Sequence, residues 1–559
     1  MVSIPAYRPV IRTTRGPYRA AALVGTHSIS LGWDVDPAQS QGLHGFAVRK
    51  SEVDLTTGEA IAVNWLRGEK RFKGDPVDGY DVSSREAPFQ RFRWSDYSLK
   101  SSLGYVFDIF PVRGTPPDGL TTDEVPLTLK LRPSPEMTAG TGAYVNRGVT
   151  SAFAYLDRFK GAHPRDVPDG AAWRWLSRGL KEALIGFIAA AGGGHALRIG
   201  IYEFFDDEVA AALAAAKARG VDVRIVYHAK PGDHATHKSE AVLAAHGLAS
   251  AATPRAAIQK ISHNKFIVHL VGGVPVRTFT GTANFSENAF YYQTNAAVIL
   301  DDPVVATAYH DYWLILADDP ARGPSKTDPA EVRNRVGALQ ARLAVAGGGP
   351  FATQYFSPVR TLDIVDKAVE LVGAAKSCVL TSAPFALDPA IVTAIAAQPA
   401  QLLHYGLANT TVRKKVEALT TNNTRYFVPS RLETYMGRQW DARAFGNHKI
   451  HSKLMIIDPF GARPQMLFGS ANFSDESCQG NDENAFLSED PRLIAIMATE
   501  FLRMFDHYKS RAFINQIRGQ GLTEDDYLSE DGGWMRSSFS PTARSHKFRD
   551  RLVFVGDQG

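Results

Sequence analysis

Two short segments of this chain repeat the same residue types in the same order and at the same spacing. The first is His263-Asn-Lys265 with Gly281-Thr-Ala-Asn284-Phe-Ser286, and the second is His451-Ser-Lys453 with Gly469-Ser-Ala-Asn472-Phe-Ser474. In each copy the Asn lies 21 residues after the His, and the copies are 188 residues apart. One such segment could arise by chance, but two with identical spacing indicate a repeated functional unit.

Paired His, Lys and Asn side chains can break a phosphodiester without a metal ion. One neutral imidazole attacks phosphorus, and the other, protonated, gives its proton to the leaving oxygen. Water, or an alcohol in a transfer reaction, then cleaves the phosphohistidine. Lys neutralises non-bridging oxygens and Asn amides orient the phosphate. We therefore predict one shared catalytic site, with no metal and no cofactor, formed by His263, Lys265, Asn284, His451, Lys453 and Asn472.

Each copy of the repeat lies on a predicted strand pair, namely 265–270 with 276–280 and 453–457 with 465–468. Since alternate residues of a strand share a face, each His is expected to project on the same side as its Lys. Phe285 and Phe473 are expected to anchor the Asn turns in the core. Ser286 and Ser474 follow those turns; helix capping is the favoured role of both, and donation to phosphate is the alternative.

The elements around the repeat alternate between strand and helix. Residues 196–202 and 221–227 are predicted strands around helix 208–219, which Asp206 or Asp207 caps, and residues 378–381 and 402–406 repeat the pattern around a helix opened by Asp388 and Pro389. Before them, residues 20–132 alternate in the manner of about seven strands, which is typical of an antiparallel β-sandwich. The predicted units are 1–135 (sandwich), 150–335 (first α/β half), 350–515 (second half) and 516–559 (a tail packing on the catalytic halves), with linkers at 132–150 and 346–350.

The repeated motifs resemble the His-Lys-Asp motif of the phospholipase D superfamily, over roughly residues 150–515. The second copy matches in full, with Asp458 after Lys453 and the acidic pair Asp482-Glu483 downstream. The resemblance implies two α/β halves that meet at a pseudo-twofold axis, with both His facing one phosphate and no metal. The sandwich resembles fibronectin type III-like domains.

The first copy departs from the superfamily pattern. Leu270 stands where Asp is usual, and the downstream element Gln293-Thr-Asn295 is neutral. Because the motif of tyrosyl-DNA phosphodiesterases, which this copy also resembles, lacks the same Asp, we expect Leu270 to be a core residue and the first half to remain catalytic. Either Thr294 or Asn295 is the counterpart of Glu483.

The unlike surroundings of the two His predict a division of roles. A carboxylate favours an imidazolium form, so we assign His263 as nucleophile and His451, supported by Glu483, as general acid and base. The reverse assignment stays open. Asp458 is expected to be structural, pairing near the base of its own hairpin, while Gln293 and Asn295 are supporting residues.

Composition and net charge favour some classes of substrate over others. The chain has 559 residues, of which 44% are hydrophobic and 21% charged, as in soluble multidomain proteins. A net charge of +4 provides no broad phosphate-tracking surface, so phospholipid head-group cleavage with peripheral membrane contact is favoured. A nuclease of the same superfamily is the alternative; its local support is the basic clusters Arg67–Lys73, Arg413–Lys415 and Arg544–Arg551. A degenerate, non-catalytic binding protein is the alternative of another class.

The sequence also bounds the compartment. Cys378 and Cys478 are too few for a disulfide framework, and both are expected to be buried apolar residues. Neither a secretory signal nor a membrane-spanning run is recognisable, which predicts a cytoplasmic protein, although export is compatible with the sequence. The lack of a spanning run counts against a cardiolipin synthase-like role. Oligomeric state is left open.

Overall fold

The computed structural model describes residues 2–557 apart from 69, 75–81, 123–124, 149–152, 256–259, 319–328, 347–350, 352, 400–401, 411, 413–418, 420–423, 429–433, 436–437, 440–448, 521–522 and 543–545. The basic cluster Arg413–Lys415 and most of the predicted linker 346–350 lie outside the described residues. Both cysteines are buried as free thiols, as predicted.

The N-terminal region is an antiparallel β-sandwich, as predicted. Its strand Leu127–Leu131 alternates buried Leu with exposed Thr128 and Lys130, which places one face in the core. Trp33 is fully buried there and packs on Phe46 with ring centroids 5.5 Å apart. One sheet consists of Val10–Arg15, Tyr18–Val24, Ile29–Val35 and Arg93–Asp96; the other consists of Gly119–Thr121, Leu103–Thr115, Gly45–Asp54 and Ala60–Trp65, with Leu127–Leu131 on Leu103–Thr115. Arg67–Gly68 and Val82–Ser83 form a short ribbon.

The first α/β half contains an eight-stranded mixed sheet. In spatial order its strands are Met137–Thr138, Thr141–Val145, Ala296–Leu300, Val274–Gly281, Lys265–Val271, His195–Ile201, Asp222–His228 and Ala252–Arg255. Its helices are Phe153–Phe159, Ala171–Ser177, Leu180–Ala189, Asp207–Ala218, His234–Ala245, Pro303–Ala317 and Pro329–Ala346, with a π-helical turn at Asn288–Tyr292. Asp206 caps its helix by accepting from Val209 N, as predicted.

The second half repeats the same sheet order. Its strands are Thr353–Phe356, Asn484–Ser488, Gln465–Gly469, Leu454–Ile457, Cys378–Ser382, Leu403–Leu407 and Thr424–Phe427, and its helices are Asp363–Ala374, Pro389–Ala396, Asp475–Gln479 and Pro491–Gln520. Asp388 caps Pro389–Ala396, as predicted. In both halves a parallel strand triplet joins an antiparallel hairpin that carries the repeat. The short pair Thr434–Tyr435 and Arg438–Gln439 lies apart from this sheet.

The linker predicted at 132–150 is wrong in part. Met137–Thr138 and Thr141–Val145 are strands, and Thr141–Val145 pairs with Ala296–Leu300 at the edge of the first half's sheet. The Gly, Thr and Ala residues of this segment predict a turn by composition. The segment is nevertheless a strand, because its backbone hydrogen bonds to Ala296–Leu300 stabilise it. Sheet pairing with a distant segment overrides local propensity here.

The halves meet through a buried polar network and share one apolar core. Asn484 Nδ2 donates to Asn264 Oδ1 at 2.8 Å, and Arg255 Nε donates to Asp482 Oδ2 at 2.9 Å, so both pairs link the two halves. The shared core includes Phe266 from the first half and Phe486 from the second. The halves are therefore one packed unit.

The C-terminal tail packs on the second half, where Tyr405 donates to Asp550, and also on the sandwich. Trp534 Nε1 donates to Leu43 O at 3.0 Å, and Arg551 Nη1 pairs with Asp34 Oδ1 at 2.5 Å. Helix Pro491–Gln520 crosses the predicted boundary at 515, and Arg536–Phe539 and Lys547–Phe554 follow. Within the described part of the chain, no helix is long and apolar enough to cross a bilayer.

Candidate active site

Each copy of the repeat is held by the downstream element of the other half. Ser262 forms a parallel bridge with Asp482, and His263 N donates to Asp482 O at 2.8 Å. Correspondingly, Gln293–Thr294 pairs in parallel with Lys449–Ile450, and His451 N donates to Thr294 O at 3.2 Å. These crossed pairings bring the two His segments to one cleft between the halves.

Glu483 contacts His263 and not His451, so the predicted support of His451 by Glu483 is wrong. His263 Nδ1 lies 2.8 Å from Glu483 Oε2, and both side chains are buried. The second carboxylate oxygen accepts from Ser477 Oγ and Asn481 Nδ2, each at 2.9 Å. When Glu483 is ionised it can only accept hydrogen bonds, so the proton of a neutral His263 imidazole is then on Nδ1 and Nε2 carries none.

Asn295 is the counterpart of Glu483 and contacts His451. His451 Nδ1 lies 2.8 Å from Asn295 Oδ1. The amide orientation is fixed because Asn295 Nδ2 donates to Ala289 O at 2.9 Å while Thr282 Oγ1 donates to Oδ1 at 2.8 Å. Gln293, the other predicted supporting residue, pairs with Lys449 through the backbone. The two His thus have unlike partners, a carboxylate and an amide, each supplied by the opposite half.

The two lysines are buried beside the backbone of their own motif. Their strands begin at Lys265 and next to Lys453, so each His lies just before a strand. Lys265 Nζ donates to His263 O at 2.5 Å, and Lys453 Nζ donates to His451 O at 2.8 Å. These bonds hold both ammonium groups within the cleft.

An aromatic side chain accompanies each motif, and the motif search did not identify either. Tyr202 lies 5.3 Å from the His263 ring and 5.5 Å from Lys265 Nζ, measured to ring centroids. Phe385 lies 5.5 Å from the His451 ring, and its centroid is 5.2 Å from Lys453 Nζ. Tyr202 follows strand His195–Ile201 and Phe385 follows strand Cys378–Ser382, at the carboxyl ends of these strands, where side chains converge. That rule is the signal that could have found them.

The two Asn side chains lie in unlike surroundings. Asn284 Nδ2 donates to Glu203 Oε2 at 2.7 Å. Asn284 Oδ1 and Asn472 Oδ1 are buried and, among the described residues, have no hydrogen-bond partner. An amide oxygen only accepts hydrogen bonds, so a water molecule or a hydroxyl group is expected to satisfy each of them, and not a phosphate oxygen.

The turns after the Asn residues differ in their Ser. Ser474 caps Asp475–Gln479, since its Oγ accepts from Ser477 N at 3.2 Å, as predicted. Ser286 does not cap, because the π-helical turn Asn288–Tyr292 follows it and its buried Oγ has no partner among the described residues. Phe285 and Phe473 are buried and anchor both turns, as predicted.

Further residues fix the backbone before each His. Ser262 N donates to His228 Nδ1 at 3.1 Å in the first half. In the second half, Asn409 Nδ2 donates to Ile450 O at 2.9 Å and Asn409 Oδ1 accepts from Ile450 N at 3.1 Å. Among the residues described, no group of three or more His, Cys, Asp or Glu is arranged to hold a metal ion.

Burial controls the charge of the site. It lowers the pKa of His263 and of His451 well below the ordinary value, and the nearby Lys265 and Lys453 lower both further. Burial also lowers the pKa of Lys265 to about 7, although the carboxylates of Glu483 and, less strongly, Glu203 act to raise it. Burial lowers the pKa of Lys453 well below its ordinary value. Burial raises the pKa of Glu483 to about 7. Above neutral pH the empty cleft therefore has lost protons that a bound anion would restore.

Binding of an anion is accordingly expected to take up protons. At about pH 8, a dimethyl phosphate monoanion raises the pKa values of buried Lys and His, so a net uptake of protons per site is expected, and its number counts how many of Lys265, Lys453 and His451 become charged. Calorimetric titrations in two buffers of different ionisation enthalpy measure this number. Lys265→Gln should reduce the uptake. A binding enthalpy that is independent of the buffer, or proton release, would contradict the electrostatic description.

Asp458 is structural, but its carboxylate bonds to the start of the neighbouring strand and not to its own hairpin, where it was expected to pair. The carboxylate accepts from Lys376 N at 2.9 Å, and from Ser377 N, Ser377 Oγ and Cys378 N at 2.8 Å each. It thereby satisfies the buried backbone where strand Cys378–Ser382 begins. Leu270, at the corresponding position of the first half, is buried in the core as predicted.

Asp458→Ala is expected to destabilise the fold without impairing the chemistry. Several buried N–H groups would lose their acceptor, which costs roughly 2–4 kcal/mol of unfolding free energy. Denaturant unfolding measures the loss, and the turnover of the folded fraction should change by less than about 3-fold. Unchanged stability together with a large loss of turnover would instead place Asp458 at the substrate.

Comparison with known proteins finds one family model that matches a segment of each half. Residues 184–314 and 371–505 match the family model described as "Cardiolipin synthase, PLD-like domain". No match was found among curated proteins.

Similar solved structures include polyphosphate kinase from Porphyromonas gingivalis, with 13% identity, a TM-score of 0.38, and coverage of 63% of this chain and 54% of that one. The matched region thus spans about half of the kinase chain. Phosphatidylserine synthase from Haemophilus influenzae has 13% identity and a TM-score of 0.41, and the match covers 59% of this chain and 85% of the synthase. Nuc, a phospholipase D family member from Salmonella typhimurium, has 28% identity and a TM-score of 0.20, and the match covers 24% of this chain and 85% of Nuc.

Proposed function

We propose that this chain, whose two α/β halves belong to the phospholipase D superfamily, cleaves phosphodiesters through a covalent bond between phosphorus and His263. The crossed pairing of His263 with Glu483 and of His451 with Asn295 carries the proposal. It gives the two imidazoles different chemical characters. His263, Lys265, Asn284, His451, Lys453, Asn472 and Glu483 are the proposed catalytic set.

In the first step, His263 Nε2 attacks phosphorus. Glu483 holds the required tautomer and stabilises the positive charge that develops on the ring. His451, with a neutral amide partner, gains no such stabilisation, so its imidazolium is the more acidic and protonates the leaving oxygen. The division of roles is the one the sequence suggested, but its physical reason is reversed, because the carboxylate serves the nucleophile.

In the second step, neutral His451 removes a proton from water, which attacks phosphorus and releases His263. An alcohol in place of water would give transfer instead of hydrolysis. The burial that keeps His451 neutral in the empty cleft suits it to act as base here, while the bound anion favours its protonation beforehand. Lys265 and Lys453 neutralise the non-bridging oxygens throughout.

A phospholipid is the proposed substrate. The support is the weak net charge together with the use of basic residues in ion pairs: Arg551 pairs with Asp34, and Lys73 pairs with Glu524. Both belong to clusters that were candidates for nucleic-acid contact. A nucleic-acid binder needs basic groups that are available to phosphate.

Turnover of bis(p-nitrophenyl) phosphate in the presence of a chelator tests the reaction. Metal-independent product formation is expected, whereas a degenerate binding protein would give none. Phospholipid vesicles assayed beside single- and double-stranded DNA then test the substrate, and added ethanol separates transfer from hydrolysis. Preferential cleavage of either DNA would replace the phospholipid by nucleic acid.

A further inference from the structure

Glu203 places a carboxylate beside the proposed phosphate site. It follows strand His195–Ile201, is half-buried, and accepts a hydrogen bond from Asn284 Nδ2 at 2.7 Å. It also acts electrostatically on Lys265 and on Lys453. A negative charge next to the groups that bind an anion opposes binding, so its presence there calls for a function.

The fold does not require an acidic residue at this position. Phe204 forms a parallel bridge with Phe285, and Leu387 forms the equivalent bridge with Phe473. Leu387 therefore corresponds to Phe204, and the residue before it, Ala386, corresponds to Glu203. The second half builds the same turn beside Asn472 with an uncharged side chain.

A charge count indicates what Glu203 does. In the substrate complex of the proposed mechanism, Lys265, Lys453 and His451 each carry a positive charge, and Glu483 and Glu203 each carry a negative one. One positive charge remains, and a phosphodiester monoanion balances it. A phosphomonoester dianion would leave net negative charge in a buried cleft, which is unfavourable.

We propose that Glu203 makes the site selective for singly charged phosphodiesters and weakens the binding of doubly charged phosphomonoesters. Since hydrolysis of a diester yields a monoester, the same repulsion speeds release of the phosphorylated product. The inference rests on the proposed function, because that function defines the charge state of the cleft.

Dimethyl phosphate and methyl phosphate provide the probe, because they differ by one charge above the second phosphate pKa of about 6. Calorimetry at about pH 8 gives both dissociation constants for the whole chain. Glu203→Gln keeps an oxygen for Asn284 and removes the charge, Glu203→Asp keeps the charge, and Glu240→Gln removes an exposed carboxylate from helix His234–Ala245 as a control.

The wild type, Glu203→Asp and Glu240→Gln should favour dimethyl phosphate. In Glu203→Gln, binding of methyl phosphate relative to dimethyl phosphate should tighten by about 10-fold or more. An unchanged ratio in Glu203→Gln would overturn the proposal.

The wild type supplies a second test that does not depend on the folding of a variant. Its affinity ratio should shift by about 10-fold or more toward dimethyl phosphate between about pH 5 and about pH 8, as methyl phosphate gains its second charge. The opposite trend would overturn the proposal. Failure of the proposed function appears separately, as absent turnover of bis(p-nitrophenyl) phosphate while the two affinities remain measurable.

Discussion

His263→Ala is expected to lower turnover of bis(p-nitrophenyl) phosphate by about 10⁴-fold or more, because the variant lacks the atom that bonds to phosphorus. Nothing else in the described cleft can replace it: Glu483 is directed at the missing ring, and His451 keeps its amide partner. The loss should appear in kcat with any leaving group, since attack precedes departure. Single-turnover kinetics in chelator measure it.

A matched control separates chemistry from folding. His246→Ala removes a half-buried imidazole that bonds to Asp207 at 2.9 Å in the same half, far along the chain from the motif. It should retain turnover within about 3-fold. If His263→Ala also retained turnover, the first half would not be catalytic, and the absence of Asp at position 270 would mark a true degeneration.

His451→Ala is expected to show an effect that depends on the leaving group. For an alkoxide, which needs a proton, the loss should be about 10²–10⁴-fold in the first step. For p-nitrophenolate, which leaves without a proton, the first step should remain fast while hydrolysis of the phosphohistidine slows, since His451 is also the base. A burst of nitrophenol followed by slow release is therefore the expected trace.

The reverse assignment predicts the reverse trace. If His451 were the nucleophile, His451→Ala would show no burst with either leaving group, and His263→Ala would show the burst instead. Comparing both variants with one activated and one unactivated diester therefore settles the roles, with His246→Ala again as the control.

The repeat was sufficient to predict the two halves and to propose a catalytic set, because both copies can be recognised from residue type and spacing in a single sequence. His263, Lys265, His451 and Lys453 lie close enough to act electrostatically on one another. The strands 196–202 and 221–227 were also placed within one residue, since buried apolar runs ended by glycine or a capping Asp are unambiguous.

The partners of the two His were not predictable from spacing. Glu483 follows the second motif in the chain, so sequence proximity suggested His451, but the halves cross and deliver it to His263. Such a contact depends on tertiary pairing of Ser262 with Asp482. Similarly, the strand Thr141–Val145 forms only because Ala296–Leu300 offers an edge, and Glu203 carries no motif that would distinguish it from a surface carboxylate.

Identification of the covalent intermediate tests the central claim most directly. The His451→Ala variant is mixed with bis(p-nitrophenyl) phosphate and quenched during the burst. Peptide mass spectrometry should then find about one p-nitrophenyl phosphoryl group per chain, bonded to His263. Modification of another residue, or rapid nitrophenol release with no covalent adduct, would contradict the division of roles between the two imidazoles.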